Sequence, residues 1–374
     1  MKNKNSKQET VLAAAQKKKG GIDSSNFLLF ITICLFLLMY IFGCLIYAEA
    51  GFGRRQILLN MLIDNAGLLI AASGMTMVMI TGGIDISVGS VIGLSCMILS
   101  YCMEKKGFSA SSSVAIVLGL GILFGIFQGW LISYMELQPF IITLAGLFGC
   151  RGLTAVLSTE QIAITDANSG GRAFLAVANK NIYFRTGTDE NPGIDFIDWL
   201  LGATQNKRGV VSYPFVHPSV LIAIAVVVII WFVLKYTKFG RNLYAIGGNE
   251  QSALLMGINV KRNKFVAYVV EGFLAALAGT VFCLNTTSGF VEQARGFEME
   301  AISSAVIGGT MLTGGVGSVV GTFFGVLIKA TIETLLRCQG TLSSWWNKIV
   351  LSIILCFFIV LQSVFIIIKN RQKK

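Results

Sequence analysis

Long apolar runs separated by short polar breaks make up most of this chain. Ten runs carry few charged side chains, and most approach the roughly 20 residues with which an α-helix crosses a bilayer. The candidate spans are 27–48, 56–80, 84–103, 114–135, 138–158, 215–235, 264–284, 299–313, 318–336 and 347–369. Membrane β-strands would instead alternate over about ten residues. The pattern therefore predicts an all-α polytopic membrane protein with about ten transmembrane helices, and it assigns 27–369 to the membrane domain.

One break places a carboxylate among some of the most apolar sequence. The stretch TGGIDISVGS occupies 81–90. Gly82 and Gly83 predict a broken helix, because glycine adopts backbone conformations that other residues avoid. A charge facing lipid at mid-helix costs about 2.5–3.5 kcal/mol, so we expect Asp85 to face protein or a wet cavity. Two roles stay open: contact with a substrate, or capping of the next helix together with Ser87 through amides of its first turn.

A second glycine pair resembles the first, about 230 residues later. TGGVGSVVG at 313–321 shares TGG, VGSV and a following glycine with residues 81–93. Two related halves would each contain a broken helix, the second at Gly314 and Gly315, and transporters often place their substrate path at such paired breaks. Chance similarity between glycine-rich membrane segments is the alternative.

Charge follows the same layout. Basic residues cluster at 1–26, 235–264 and 369–374, within a net charge of +11. Such clusters beside spans are typical of cytoplasmic segments. Six spans separate the first two clusters and four separate the last two, so both tails, 1–26 and 370–374, and the loop 236–263 are expected in the cytoplasm. This distribution does not resemble a nucleic-acid-binding patch.

Two further segments complete the layout. The first span has 22 apolar residues, more than the 7–15 of a secretion signal, so we expect it to be retained. The long polar stretch 159–213 falls outside the cytoplasm by this count. It is either a tolerated surface insertion or a contact for an extracytoplasmic partner.

Motifs of enzyme chemistry are absent from the sequence. There is no GxxxxGK[ST] phosphate-binding loop and no HExxH or GxSxG motif. The eight cysteines form no CxxC pair and are expected to be small buried apolar residues. The sole histidine, His217, has no Cys, Asp or Glu at ligand spacing and is expected to be structural. We therefore expect no catalytic residues, metal site or cofactor in this chain, and any use of ATP requires another subunit.

The cytoplasmic loop contains a short amphipathic segment, GGNEQSALLMGI at 247–258. Gly248 permits a turn, Asn249 is suited to cap a helix, and Glu250 lies where the helix dipole favours an acid. Gly257 permits the helix to end. Such a helix either docks into a groove on another protein or lies on the membrane surface.

This segment resembles the coupling loop of ABC importer permeases, whose motif has two small residues, three variable ones and a glycine. Ala253 and Gly257 match that spacing, whereas Gln251 and Ser252 replace the motif's first two letters. TGGIDISVGSVIGL at 81–94 and AVIGGTMLTGGVGSVVGTFFGVLI at 305–328 resemble two further family motifs. The chain is thus identified as a member of the ribose, xylose and galactose type of sugar ABC permeases. Residues 137–164 are similar to galactofuranose-type permeases.

The resemblance implies a division of labour in a bacterial plasma (inner) membrane. An extracytoplasmic binding protein delivers a monosaccharide to a pathway formed by this chain and a second permease, identical or different. A separate ATPase subunit binds ATP and docks on the coupling helix. The residues assigned to that coupling are Gly248, Asn249, Glu250, Ala253 and Gly257. A stand-alone ion-coupled sugar transporter and a non-transporting scaffold are the alternative hypotheses.

Polar groups within spans are the candidates for sugar contact, because a sugar needs hydrogen bonds together with an apolar or aromatic face. The proposed pathway residues are Asn60, Asn65, Asp85, Ser87, Gln138, Phe140 and Thr143. Structural roles remain open for each of them. Asp64 and Arg151, for example, are interpreted as a possible ion pair between helices.

Overall fold

A computed structural model describes residues 24–48, 51–183, 204–205, 211–340 and 345–371. Residues 1–23 of the expected basic tail, much of the polar stretch 159–213 and residues 372–374 lie outside the described part.

Fourteen helices run through the described residues. They are α1 Ser24–Ile46, α2 Arg55–Asp64, α3 Ala66–Ile80, α4 Val88–Glu104, α5 Ala110–Ser133, α6 Pro139–Leu157, α7 Ser169–Ala178, α8 Pro218–Tyr236, α9 Lys238–Gly248, α10 Glu250–Leu255, α11 Val260–Thr286, α12 Phe297–Ile307, α13 Val319–Gln339 and α14 Trp345–Arg371. The predicted all-α architecture is confirmed.

The predicted count of about ten spans is not confirmed. Within the described residues, six helices (α1, α5, α6, α8, α11 and α13) are long and apolar enough to cross a bilayer. The pair α2–α3, bent by 59°, makes a seventh if it is one span. Each remaining predicted span coincides with a helix, but α4 has 17 residues and α12 only 11. Helix α14 has 27 residues, and its sequence is apolar through most of its length. The lengths of α4 and α12 fall below the roughly 20 residues of a full span.

Helix α11 forms the centre of the bundle and contacts α3, α4 and α5. Its buried face carries small side chains, among them Ala267, Ala275 and Ala278. Small residues allow helix backbones to approach closely, which is the usual basis of helix association in membranes. Helix α13 contacts α1, α3 and α12 on the other side of α3. Helix α3 is therefore in contact with both α11 and α13.

Three short antiparallel strand pairs involve the polar stretch, and two of them join it to segments next to membrane helices. They are β1 Ile162–Ala163 with β6 Ser288–Gly289, β2 Ile182–Tyr183 with β5 Phe215–Val216, and β3 Thr204–Gln205 with β4 Val211–Ser212. His217 adds to this attachment, because its Nε2 lies 2.7 Å from the carbonyl oxygen of Ala178. Its Nδ1 accepts a hydrogen bond from the amide of Ser219 and so caps α8. The structural role expected of His217 is confirmed.

Candidate functional site

The first break separates α3 from α4. Helix α3 ends at Ile80 and α4 begins at Val88, with residues 81–87 between them. Gly82 has a φ of +83°, a left-handed conformation that favours glycine. The break therefore lies at the position predicted from the sequence.

Asp85 belongs to a network of hydrogen bonds inside this break. Its carboxylate is 3% exposed, and Oδ1 accepts hydrogen bonds from the amide of Ser87 at 2.8 Å and from its hydroxyl at 2.5 Å. Gln128 Nε2 donates to the Ser87 hydroxyl at 3.1 Å. The hydroxyl of Thr143 donates to the carbonyl of Ile84 at 3.4 Å. Three predicted pathway residues therefore meet here, together with Gln128 of α5.

The expected cap on α4 takes a different form. Ser87 occupies the position before the helix, but no side-chain bond reaches an amide of the first turn. The carboxylate of Asp85 instead bonds the amide two residues ahead, as in an Asx turn. The prediction of a bond to the second or third helical amide is wrong, because the turn places the carboxylate over Ser87 itself.

The other predicted pathway residues lie apart from this network. Asn60 is exposed on α2 and accepts a bond from Gln56 Nε2 at 2.7 Å. Asn65 is buried at the α2–α3 bend. Gln138 and Phe140 are exposed where α6 begins. The seven candidates do not form one site, because the bend and the α5–α6 connection are separate features of the fold.

A buried cation holds the α2–α3 bend. Lys329 Nζ of α13 donates to Asn65 Oδ1 at 3.2 Å. It also lies 3.0 Å from Glu300 Oε2 and 2.7 Å from Glu333 Oε1. Its side chain is almost fully buried, and we call Asn65, Glu300, Lys329 and Glu333 the bend cluster.

The interpretation of Asp64 and Arg151 as an ion pair is wrong. Asp64 instead lies 3.0 Å from Arg337 NH1. Arg151 donates to the carbonyls of Val291 and Gln293, at 3.1 and 2.6 Å. Asp64 and Arg151 therefore each interact with residues that are distant along the chain.

The second break has the same form as the first. Helix α12 ends at Ile307 and α13 begins at Val319. Gly314 and Gly315 between them have φ values of +82° and +76°. The amide of Gly315 donates a hydrogen bond of 2.9 Å to the carbonyl of Ile80. The two similar sequences are therefore in direct contact in the fold.

The end of α9 fits against both breaks. A Cβ atom added at Gly247 would overlap the Ile80 carbonyl and the Gly315 amide. One added at Gly315 would lie 2.8 Å from Gly248 Cα, which is also too close. We call the meeting point of Gly82, Gly247, Gly248, Gly314 and Gly315 the glycine junction. Within the described part of the chain, the closest contacts between these three segments join backbone atoms.

A tyrosine adds a further link between α9 and the second break. The hydroxyl of Tyr244 donates to the carbonyl of Gly317 at 2.9 Å. Burial raises the pKa of Tyr244 above its ordinary value, so the phenol that donates this bond stays neutral to higher pH than an exposed one.

The segment after α9 is the short helix α10. Asn249 caps it, accepting a hydrogen bond from the amide of Ser252 at 2.8 Å. Glu250 pairs with Lys264 of α11 at 2.8 Å. Gly257 has a φ of +78° just beyond the end of the helix. The capping expected of Asn249 is confirmed, and its part in coupling to an ATPase stays a prediction.

The two faces of α10 differ in character. Ala253 is fully buried, whereas Leu255 is 90% exposed and its neighbours Leu254 and Met256 are also exposed. The buried face fastens α10 to the protein, and the exposed apolar side chains are available for another surface. Both hypotheses for this helix, docking to a protein and lying on a membrane, use that exposed face.

A cavity of about 610 Å³ lies between α10, the α5–α6 connection and the first break. It is lined by Thr81, Gly82, Gly83, Ile132, Ser133, Glu136, Leu137, Gln138, Pro139, Ile246, Gly247, Glu250, Leu254, Val260, Lys261, Lys264, Tyr268 and Thr313. Two ion pairs belong to its lining, Glu250 with Lys264 and Glu136 with Lys261 at 2.7 Å. The hydrogen bond from Lys261 holds the pKa of Glu136 below its ordinary value.

Two buried polar residues at the centre were not singled out from the sequence. Glu271 is fully buried, and neither carboxyl oxygen has a hydrogen-bond partner among the described residues. The hydroxyl of Tyr268, one turn earlier on α11, is likewise unpartnered in the described part. Glu271 is the only acid in the span 264–284, and this isolation is the signal that marks it.

Comparisons with known proteins agree on one family. A family model described as "Branched-chain amino acid transport system / permease component" matches residues 57–359. The inner membrane ABC transporter permease protein YjfF of Escherichia coli is 40% identical, over 93% of this chain and 95% of the relative. The fructose import permease protein FruG of Bifidobacterium longum is 32% identical, over 93% and 94%. The ribose import permease protein RbsC of Escherichia coli is 30% identical, over 82% and 85%. No solved structure matches the chain.

Proposed function

The chain belongs to this family of permease components of transport systems, and on that premise we propose that it is the membrane subunit of an ABC importer for a monosaccharide. It is a multi-pass protein of the inner membrane, as its apolar helices and its similarity to an inner membrane permease indicate. Membership of a permease family favours transport over enzyme catalysis.

The substrate class rests on the relatives and on the sequence motifs. The relatives include import permeases for fructose and for ribose. The similarity of residues 137–164 to galactofuranose-type permeases makes furanose sugars the first to test. The balanced charges of the cavity beneath the first break suit a neutral solute better than a charged one.

The proposed partners follow from the similarity to permease components of ABC transporters. With no phosphate-binding loop of its own, the chain depends on an ATPase subunit to bind ATP. We place α10 and both termini in the cytoplasm, where the exposed Leu255 and Met256 meet a groove on that subunit. An extracytoplasmic binding protein and a second permease, identical or different, complete the assembly.

The glycine junction is the observation that carries this proposal. The coupling segment begins at Gly247 and Gly248, and their backbone lies against both broken helices. Movement of α10 with a docked ATPase would pass directly to residues 80–82 and 313–315, because the closest contacts join backbone atoms. Close-packed contacts of this kind transmit displacement instead of absorbing it.

Reconstitution tests the proposal. The chain, its ATPase subunit and a second permease are placed in proteoliposomes, the binding protein and labelled sugar are added outside, and ATP is enclosed. We expect sugar accumulation that requires ATP hydrolysis and survives collapse of ion gradients by ionophores. Accumulation that persists without the ATPase and disappears with the ion gradient would instead identify a stand-alone ion-coupled transporter.

A further inference from the structure

The cavity beneath the first break is built to hold a solute on the side of the coupling helix. We propose that it binds a neutral monosaccharide from the cytoplasmic side and that the bound sugar restrains α10, so that the accumulated product slows the transporter. This inference rests on the proposed function and adds to it a regulatory site within a single subunit.

The size of the cavity fits this occupant. Its volume of about 610 Å³ lies within the range of about 300–1,000 Å³ common for small-molecule sites. Apolar side chains form part of the wall, including Ile132, Pro139 and Ile246. A sugar ring presents apolar faces and polar edges together, and a mixed lining of this kind matches it.

Two buried hydroxyl groups lie at the cavity. Tyr268 and Ser133 line it from α11 and α5, and they are 1% and 3% exposed. Within the described chain, neither the Tyr268 hydroxyl nor the Ser133 hydroxyl has a hydrogen-bond partner. A buried polar group left without a partner costs about 1–3 kcal/mol. The hydroxyl groups of a sugar both donate and accept, and a small local adjustment would allow them to satisfy both residues.

The charges favour a neutral ligand. Glu136 and Lys261 pair at 2.7 Å, and Glu250 and Lys264 pair at 2.8 Å, so the four charges in the lining cancel. A sugar phosphate would place its negative charge against lysines that already have carboxylate partners. A neutral sugar leaves both ion pairs intact.

Occupancy would act on the coupling helix directly. Glu250 and Leu254 of α10 form one wall of the cavity, and Leu137 and Gln138 of the α5–α6 connection form another. A sugar bridging these walls would hold α10 in its present position. A ligand shifts a conformational equilibrium toward the state to which it binds more tightly. Sugar would therefore oppose the movement of α10 that the ATPase cycle requires.

The test uses the assembled transporter in nanodiscs, with no binding protein present, and follows ATP hydrolysis as sugar is added. We expect hydrolysis to fall with sugar concentration, and a sugar phosphate to act more weakly. Tyr268→Phe should raise the half-inhibitory concentration about 3- to 10-fold, the usual value of one hydrogen bond. Tyr134→Phe is the matched control. Tyr134 is exposed and follows Ser133 at the end of α5, but it does not line the cavity.

Ser133→Ala repeats the test from a second helix, should Tyr268→Phe assemble poorly. Hydrolysis that is unaffected by sugar in a preparation that still imports sugar would overturn the inference and leave the proposed function standing. Equal inhibition of the wild type, Tyr268→Phe and Ser133→Ala would overturn it as well. A preparation that shows no ATP-driven import with its binding protein would count against the proposed function itself.

Discussion

The amide of Gly315 donates a hydrogen bond of 2.9 Å to the carbonyl of Ile80, and this bond joins the two broken segments of the chain. Gly247 lies against both atoms. The end of α9 is therefore in contact with each break, and a displacement of the coupling segment would reach them together. The following predictions test the parts of this arrangement separately.

Asp85 is expected to stabilise the conformation of the first break. Asp85→Ala removes the acceptor for the amide of Ser87 and the nearer acceptor for its hydroxyl, and a buried amide left unpaired costs about 1–3 kcal/mol. Asp85→Asn retains an oxygen that can accept from the amide. We therefore expect Asp85→Ala to lower both the melting temperature and import, and Asp85→Asn to retain most of both.

Melting curves in detergent and import assays of the two variants decide between the roles left open for Asp85. If Asp85→Asn melts like the wild type but no longer imports sugar, the negative charge itself takes part in transport. That result would favour contact with the substrate over support of the break.

Gly257 is expected to set the end of the coupling helix. Its φ of +78° costs other residues about 1–2 kcal/mol, although a Cβ atom there would meet nothing within 4 Å. Gly257→Ala should weaken binding of the ATPase subunit. Gly257→Asn should bind the ATPase more tightly than Gly257→Ala does, because asparagine tolerates this conformation. Co-purification of the ATPase with each variant measures the difference. Equal recovery with alanine and asparagine would show that the backbone conformation is not the reason for glycine.

Lys329 is expected to stabilise the α2–α3 bend. Lys329→Met leaves Glu300 and Glu333 without their buried cation, and breaking such a pair costs about 3–5 kcal/mol. The control is Arg337→Met, which removes the more exposed pair with Asp64 and should cost about 0–1 kcal/mol. Thermal unfolding in detergent should therefore shift much further for Lys329→Met. Similar shifts for the two variants would mean that the bend cluster does not stabilise the fold.

The sequence allowed prediction of features that depend on neighbouring residues. The break at Gly82 and the cap at Asn249 each follow from a few adjacent side chains, and both are present. The form of the Asp85 interaction was missed, since a carboxylate can bond several nearby amides and the turn decides among them.

Contacts between segments that are distant along the chain could not be predicted from the sequence pattern. Repeated TGG motifs indicated paired breaks, but nothing in the pattern indicated that Gly315 would bond Ile80 or that Gly247 would lie between them. The partner of Asp64 was also wrong, because Arg337 and Arg151 are equally compatible with an ion pair until the helices are placed. The predicted span count is not confirmed, since short buried helices such as α12 are as apolar as helices that cross a bilayer.

A matched pair of substitutions tests the central claim. That claim is that a displacement of the coupling segment is transmitted to the two broken segments through the glycine junction. Gly247→Ala places a methyl group against the Ile80 carbonyl and the Gly315 amide, whereas the same methyl at Gly248 meets nothing within 4 Å. Overpacking of this kind costs about 1–3 kcal/mol. Co-purification of the ATPase and a melting curve establish that each variant assembles.

The decisive measurement is the amount of sugar imported per ATP hydrolysed in proteoliposomes. The account predicts that Gly247→Ala keeps its ATPase and hydrolyses ATP but imports on the order of tenfold less sugar per ATP, while Gly248→Ala matches the wild type. An unchanged ratio for an assembled Gly247→Ala transporter, or an equal loss in both variants, would contradict it.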